Sequence, residues 1–261
     1  MRIVTWNTNG LRGALKKGFA AHLDRLGADV LLLQELRATP DQLPEPWGAP
    51  PGWHVAWHPA ERPGYAGTAV WSRTPLELVG TGLDAPDPEG RVLRVRTAGV
   101  QVVSVYLPSG SSSPERQVAK EAWMSAFAPW AAGLAASEEP TVLGGDLNIA
   151  HTELDIWNPK GNAKLSGFLP HERAWFTELL AQGWTDLVRA HVGPKHGPYA
   201  WWSNRGQARA LDRGWRIDYL LANAAAAGRL RGAGVVLERE RAEGEVAISD
   251  HASVYADLAE V

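Results

Sequence analysis

Four apolar, strand-like runs in this chain stop abruptly on polar residues. They close on Trp6-Asn7, Gln34-Glu35, Tyr106-Leu107-Pro108 and Gly145-Asp146-Leu147-Asn148. A short apolar run that ends in polar and turn residues reads as a buried strand reaching the end of its sheet. Several such strands gather their polar ends at one sheet edge. Two more signatures, Arg216-Ile217-Asp218-Tyr219 and Ser249-Asp250-His251, add a carboxylate inside an apolar strand and an Asp-His pair.

The remaining elements follow the same logic. Arg2 to Asn7 alternates Ile3, Thr5 and Asn7 on one face with Val4 and Trp6 on the other. Leu15, Phe19, Leu23 and Leu26 recur at helical spacing, which predicts a helix over Ala14 to Leu26 stopped by Gly27. Asp29 to Glu35 reads as a strand, and Pro40 to Gly52 as loop. Short strands are expected at Trp53–His58, Gly67–Ser72, Arg91–Thr97 and Gln101–Tyr106. Ser113-Pro114-Glu115 is an N-cap with Pro at the first helical position, opening a helix toward Ala136 that Pro129 should bend or split. Strands are expected at Thr141–Leu143, Arg216–Ala222, Gly234–Glu240 and Ala252–Leu258, with a helix over Pro170–Gln182. A meander of about ten to twelve strands with a few helices predicts an α/β fold of two packed sheets with helices outside, in one domain over residues 1–261. Halves near 1–140 and 141–261 each open on a strand with a polar end, which suggests an internal similarity.

Composition narrows the chemistry. The chain has 261 residues, 45% of them hydrophobic, and no cysteine. Thiolate metal sites and disulfides are excluded, so any metal binds through oxygen or nitrogen: Mg²⁺ or Mn²⁺, or Zn²⁺ through His. No apolar run approaches the ~20 residues of a membrane span, and no leader pattern opens the chain, so a cytoplasmic protein is expected. The formal net charge is −3, but its distribution is uneven. From Arg189 to Arg216 there are six Lys or Arg (Arg189, Lys195, Arg205, Arg209, Arg213, Arg216) against one acid, Asp212, with Tyr199, Trp201, Trp202 and Trp215 between them. Basic residues interleaved with aromatics suit a nucleic acid.

Each signature taken singly has an ordinary structural explanation: a turn Asn, a strand-end Glu, a packed Tyr. Taken together they supply a metal-assisted phosphodiester hydrolase. Glu35 offers a carboxylate at a sheet edge. After Gly144-Gly145, Asp146-x-Asn148 puts a carboxylate that can take a proton from water beside an amide that can hold it. Asp218, in an apolar strand, needs a buried partner, and His251 paired to it gains imidazolium character. Tyr106 offers a phenol to a phosphate, and Asn7 can support Glu35 or Asp146. His22, His54 and His171 have no partner at ligand spacing and are read as non-catalytic. The chain has no P-loop, no Gly-x-Ser-x-Gly elbow and no His-Glu-x-x-His.

Those residues and several longer runs resemble the exonuclease III family of apurinic/apyrimidinic endonucleases, within the endonuclease–exonuclease–phosphatase superfamily. The runs are Trp6-Asn7-x-Asn9-Gly10-Leu11-Arg12, Leu33-Gln34-Glu35, Gly145 to His151, Asn158-Pro159-Lys160-Gly161-Asn162, Ser166 to Arg173, Gly214 to Tyr219 and Ser249-Asp250-His251. The resemblance implies a four-layer α/β sandwich. It also implies a Mg²⁺-dependent enzyme, Mn²⁺ substituting, that cleaves double-stranded DNA 5′ to abasic sites and trims blocked 3′ ends as a 3′→5′ exonuclease, and it suggests a monomer. Carried over, the metal neighbourhood is Asn7, Glu35, Asp146, Asn148, Asp250 and His251. The catalytic set is Tyr106, Asp146, Asn148, Asp218 and His251. Trp215 lines a pocket for the flipped-out sugar beside Trp202, and Asn9, Arg12, Lys160, Asn162, Arg205, Arg209 and Arg213 contact DNA. One run departs: where the family has Asn or Gln and then Gly, sometimes followed by a basic residue, this chain has Ser109-Gly110-Ser111-Ser112-Ser113.

Overall fold

The structure is a computed structural model and describes residues 1–237 and 247–259. Among these the chain lays down β1 (Arg2–Asn7), β2 (Val30–Gln34), β3 (His54–His58) and β4 (Thr68–Ser72). Then come β5 (Leu76–Thr81), β6 (Val92–Thr97), β7 (Val100–Tyr106), β8 (Thr141–Asp146), β9 (Thr185–Asp186) and β10 (Asp218–Ala222). It finishes with β11 (Leu230–Val236) and β12 (Ser253–Leu258). The first four and last two strands form one sheet in the order β11-β12-β1-β2-β4-β3; the middle six form the other, β5-β6-β7-β8-β10-β9.

The two sheets share a plan. Each has one parallel pair at its centre, β1 with β2 and β7 with β8, flanked by antiparallel neighbours. The internal similarity is therefore sheet against sheet. The expected division near residue 140 is corrected, because the chain leaves the first sheet before β5 and returns to it at β11.

The alternation read in β1 decides the layers. Ile3 joins Leu32, Val70, Val95, Val102, Val142, Leu220 and Val254 in the core between the sheets. Val4 and Trp6 point the other way, against Leu11, Phe19 and Leu23 of the first two helices, α1 (Leu11–Lys16) and α2 (Phe19–Leu26). Behind the second sheet, Val103, Val105 and Leu143 pack on Phe127 and Phe176. These belong to long helices, α3 (Pro114–Ala135) and, after the one-turn α4 (Pro159–Asn162), α5 (Pro170–Ala181). Each fully buried Leu, Val or Phe contributes roughly 1.5–3 kcal/mol. Gly144 lets the sheets close: a Cβ there would lie 2.6 Å from both Leu220 Cδ2 and Leu32 Cδ1.

Several expectations shift. The helix over Ala14 to Leu26 is two helices, because Gly18 takes a φ of 100°, which breaks a right-handed helix. Helix α3 runs unsplit through Pro129. Strand β5, with a register shift between Leu78 and Gly80, lacks a clean alternating pattern and was not expected. Nor were β9, α6 (Leu187–Val192) and α7 (Ala224–Ala227). The strand expected over Gly234–Glu240 starts earlier, at Leu230, and Glu238 to Glu240 lie outside the described residues.

His22 is buried against the Trp6 ring, with its Nε2 3.0 Å from Ser253 Oγ and its Nδ1 3.1 Å from Arg25 Nη2. Burial, helped by the charges of Arg25 and Arg209, lowers its pKa to about 4. The unfolded chain, with a His pKa near 6.5, takes up the proton first. Stability from this group is therefore complete above about pH 6.5 and is lost as pH falls toward 4. The expected loss is on the order of 3 kcal/mol. Urea unfolding of the wild type at pH 7.5 and 4.5, compared with His22→Gln, checks it: the variant should show a shallower pH slope.

Candidate active site

The register of the second sheet lines up three predicted residues. Tyr106 on β7 lies opposite Asp146 on β8, and Asp146 lies opposite Asp218 on β10. The first sheet ends at the same edge with Asn7 opposite Gln34. Just below, a buried polar bridge joins the sheets. Thr5 Oγ1 donates to Gln34 Oε1 (3.1 Å), Gln34 Nε2 donates to Ser104 Oγ (3.0 Å), and Ser104 Oγ donates to the Leu33 carbonyl (3.0 Å). The inter-sheet layer thus changes from apolar to polar toward this edge, and the three side chains of the bridge each find a partner.

Asp146 is the hub. Its Oδ1 accepts the Asn148 backbone N–H at 2.9 Å. Its Oδ2 accepts Asn7 Nδ2 at 2.9 Å and Asn148 Nδ2 at 3.3 Å, and lies 3.8 Å from His251 Nε2. Asn148 itself sits in left-handed backbone (φ 50°), which Asn tolerates, and its amide also donates to the Leu107 carbonyl at 2.8 Å. His251 Nδ1 lies 2.8 Å from Asp218 Oδ2. His251 is fixed from behind: its N–H donates to Ser249 Oγ at 3.1 Å, and its carbonyl accepts Trp6 Nε1 at 3.1 Å.

Electrostatics follow from burial. Desolvation raises Asp146 above the ordinary carboxylate range, against the pull of His251. It raises Asp218 too, again opposed by His251. Burial by itself would depress His251, but the charge and hydrogen bond of Asp218, with Asp146 and Asp250 behind them, overcome it and raise the imidazole. Tyr106 is pushed up by burial and by the charges of Glu35 and Asp146. A buried imidazolium between carboxylates makes a fixed donor for an anion.

The site opens into a pocket of about 700 Å³. Glu35, Asp146, Asn148, Asp250 and His251 line its polar side, and Trp201, Trp215 and Ile217 its apolar wall. Glu35, at φ 54° just past β2, is ion-paired with Arg37. Asp250 accepts Asn9 Nδ2 (2.8 Å) and Trp201 Nε1 (3.0 Å). The ligand atoms of Asp146, Asp218 and His251 lie within 4.8 Å of one another, close enough to hold a metal ion. The wider donor set is oxygen-rich and free of sulfur, which fits a hard divalent cation.

The expected DNA contacts divide. Trp215 lines the pocket, but its neighbour is Trp201, with ring centroids 5.9 Å apart and perpendicular. Trp201 also bridges the backbones of Trp215 and His251. Trp202 is corrected: only 3% exposed, it packs with Tyr199 and Ala208 and donates to Asp212 Oδ1 at 3.1 Å. Adjacent in sequence, the two tryptophans part in space: Trp201, not Trp202, faces the pocket beside Trp215. Arg209 lies over the Trp202 ring and donates to the Ser249 carbonyl. Asn162 spends its amide on the carbonyls of Trp157 and Asn158. Arg12, Lys160, Arg205 and Arg213 are exposed. Neither His54 nor His171 lines the pocket.

Two groups escaped the sequence reading. Beside Tyr106, Arg91 donates to its carbonyl at 2.9 Å and lies over its ring, while Arg91 and Arg116 both donate to the Tyr65 hydroxyl. Beneath Asn148, the fully buried Lys120 donates to the Asn148 carbonyl (2.9 Å) and pairs with Glu172 (2.6 Å). Glu172 also accepts the backbone N–H groups of Gly167 and Leu169. Arg116 and Lys120 recur at helical spacing on α3, which was the only available hint.

Two six-stranded sheets sandwiched between helices, with a carboxylate–imidazole centre where their strands end, define the class. The chain belongs to the Endonuclease/Exonuclease/phosphatase family, whose profile matches residues 4–251. Within it the chain falls in the exonuclease III/AP endonuclease branch. It is 39% identical to an exodeoxyribonuclease of Bacillus subtilis over 85% of this chain and 87% of that protein. Its fold matches the 3′ phosphatase NExo from Neisseria, bound to a product DNA hairpin (TM-score 0.87, 32% identity, 99% of each chain). It also matches an AP endonuclease from Archaeoglobus fulgidus (TM-score 0.88, 26% identity, 99% of each chain). No helix among the described residues is long and apolar enough to cross a membrane.

Proposed function

We propose that this chain is a Mg²⁺-dependent DNA phosphodiesterase that cuts duplex DNA 5′ to abasic sites and trims blocked 3′ ends as a 3′→5′ exonuclease, acting as a cytoplasmic monomer. The observation that carries the reading is Asp146, a buried carboxylate held by Asn7 and Asn148, 3.8 Å from His251 and open to a pocket with a Trp wall. In this reading Asp146 takes the proton from the attacking water and Asn148 holds that water or the transition state. His251, oriented by Asp218, and Tyr106 donate to the non-bridging phosphoryl oxygens. Glu35 and Asp250, with Asn7, would hold the cation, which when bound would supply charge neutralisation at the phosphate. Trp201, Trp215 and Ile217 shelter the extruded sugar. Arg116, beside Tyr65, joins Arg12, Lys160, Arg205 and Arg213 as backbone contacts, while the buried Arg91 holds Tyr106 in place.

The test is a labelled duplex carrying one abasic analogue, beside an intact duplex. Cleavage 5′ to the analogue should need Mg²⁺ or Mn²⁺ and vanish with EDTA. At sub-saturating enzyme the rate should fall steeply with salt, since each released phosphate counterion contributes about −0.9 to the log–log slope. A rate insensitive to salt, with small phosphate esters turned over instead, would move the chain to another branch of the superfamily.

A further inference from the structure

Beyond the pocket lining, next to Ile156, which pairs with Trp215, Trp157 keeps 42% of its surface exposed. It is not a loose side chain. Its backbone N–H donates to the Gly214 carbonyl at 2.9 Å, and its carbonyl accepts Asn162 Nδ2 at 2.8 Å. The residue is thus tied by its backbone to the Gly214–Trp215 segment, which supplies part of the pocket wall. The Arg213 guanidinium lies 4.8 Å from its centroid.

Several basic side chains on this and neighbouring segments carry no countercharge. Lys160, Lys164, Arg205 and Arg213 are exposed, and among the described residues none of them makes an ion pair. By contrast Arg91, Arg94, Arg96, Arg189 and Arg216 each hold a carboxylate. Unpaired cations and an exposed indole together match a polyanion that also offers flat apolar faces. DNA has both, and a base stacks on an aromatic face whatever its sequence. A base inside a duplex has both faces covered by its neighbours, so the platform suits a base that is unpaired or at an end.

We propose that Trp157, backed by Arg213, is a stacking platform for an unpaired or terminal nucleobase of the bound DNA. It favours frayed 3′ ends over internal sites. The inference rests on the reading of the chain as a DNA phosphodiesterase and adds a substrate preference to it. It also gives the chain an aromatic contact with the helix end, which the serine-rich Ser109–Ser113 run does not offer.

The test is equilibrium binding in EDTA, where nothing is cleaved, to two labelled duplexes: one with a mismatched, frayed 3′ end and one fully paired with an internal abasic analogue. Trp157→Ala should raise Kd for the frayed end roughly tenfold, the size of one base–aromatic stack, and leave the internal-site Kd within twofold. Trp157→Phe should recover most of the loss. Arg213→Gln should weaken both DNAs and flatten the salt slope. Equal loss on both DNAs with Trp157→Ala would make the ring a mere support for Trp215 and overturn the proposal; so would no loss on either. Failure of the wild type to cleave with Mg²⁺ would instead strike the functional reading and leave these Kd values to judge the platform.

Discussion

Asp146→Asn should lower the single-turnover rate of abasic-site cleavage by at least ~100-fold, with little change in DNA affinity. Positioned general bases supply about 10²–10⁴-fold. The substitution keeps the shape of the side chain and removes the proton acceptor. It also costs geometry, because every hydrogen bond to the Asp146 carboxylate comes from a donor: the Asn148 N–H, Asn7 Nδ2 and Asn148 Nδ2. An amide must turn its own N–H₂ toward one of them. His251→Ala removes a preorganised donor to the phosphoryl oxygen, a loss of about 3 kcal/mol or 10²–10³ in rate. It also leaves Asp218 buried without its partner, so a lower Tm should accompany it. The two changes act on one transition state, and the double variant should lose less than the product of the single losses. Single-turnover kinetics with saturating enzyme, beside Kd values in EDTA, check this. Near-wild-type cleavage by Asp146→Asn would sink its role as base.

That centre was largely legible in the sequence because it is built from strand ends. A strand has a side-chain period of two, so an apolar run that stops on a polar residue reports both the burial of the strand and the place of its last side chain. Asn7, Tyr106 and Asp146 were readable on that ground, and Asp218 through the cost of an unpaired acid in an apolar strand. What the sequence could not supply was the pairing of distant segments through loops. Trp201 and Trp202 are indistinguishable to periodicity on a loop, and only the bridges to Trp215 and His251 decide which faces the pocket. Tyr65 comes from a bend with no pattern, and Arg91 from the start of an expected strand whose neighbours the sequence does not name; the sheet order brings both to Tyr106. The fold was legible where strands are central and apolar. It was not legible at the edges: β5 is half-exposed and irregular, and β9 has two residues. Gly18 marks the break between α1 and α2, but a lone Gly in a periodic run is also tolerated inside a helix.

Lys120→Met should destabilise the protein by about 3–5 kcal/mol, the cost of removing one partner of a buried ion pair. At this chain length that corresponds to a Tm lower by on the order of 10 °C. Both side chains are fully buried, and their contact is 2.6 Å. Burial pulls the Lys120 pKa down and the Glu172 charge opposes it. Without the ammonium, Glu172 keeps three donors, the N–H groups of Gly167 and Leu169 and the Gln117 amide, but no countercharge. Glu172→Gln in the Lys120→Met background should recover part of the loss, because the neutral amide still accepts hydrogen bonds and no charge is stranded. Chemical denaturation of the wild type, the two single variants and the double variant measures that coupling. The pair also reaches the site: Lys120 holds the Asn148 carbonyl, and Glu172 holds the turn at Gly167, where a Cβ would lie 3.1 Å from Trp215 Cζ3. In the double variant, therefore, regained stability should not bring regained rate. Its cleavage should stay below wild type at a temperature where both are folded. Full recovery of activity along with stability would mean that Asn148 and the pocket wall hold their places without the lysine.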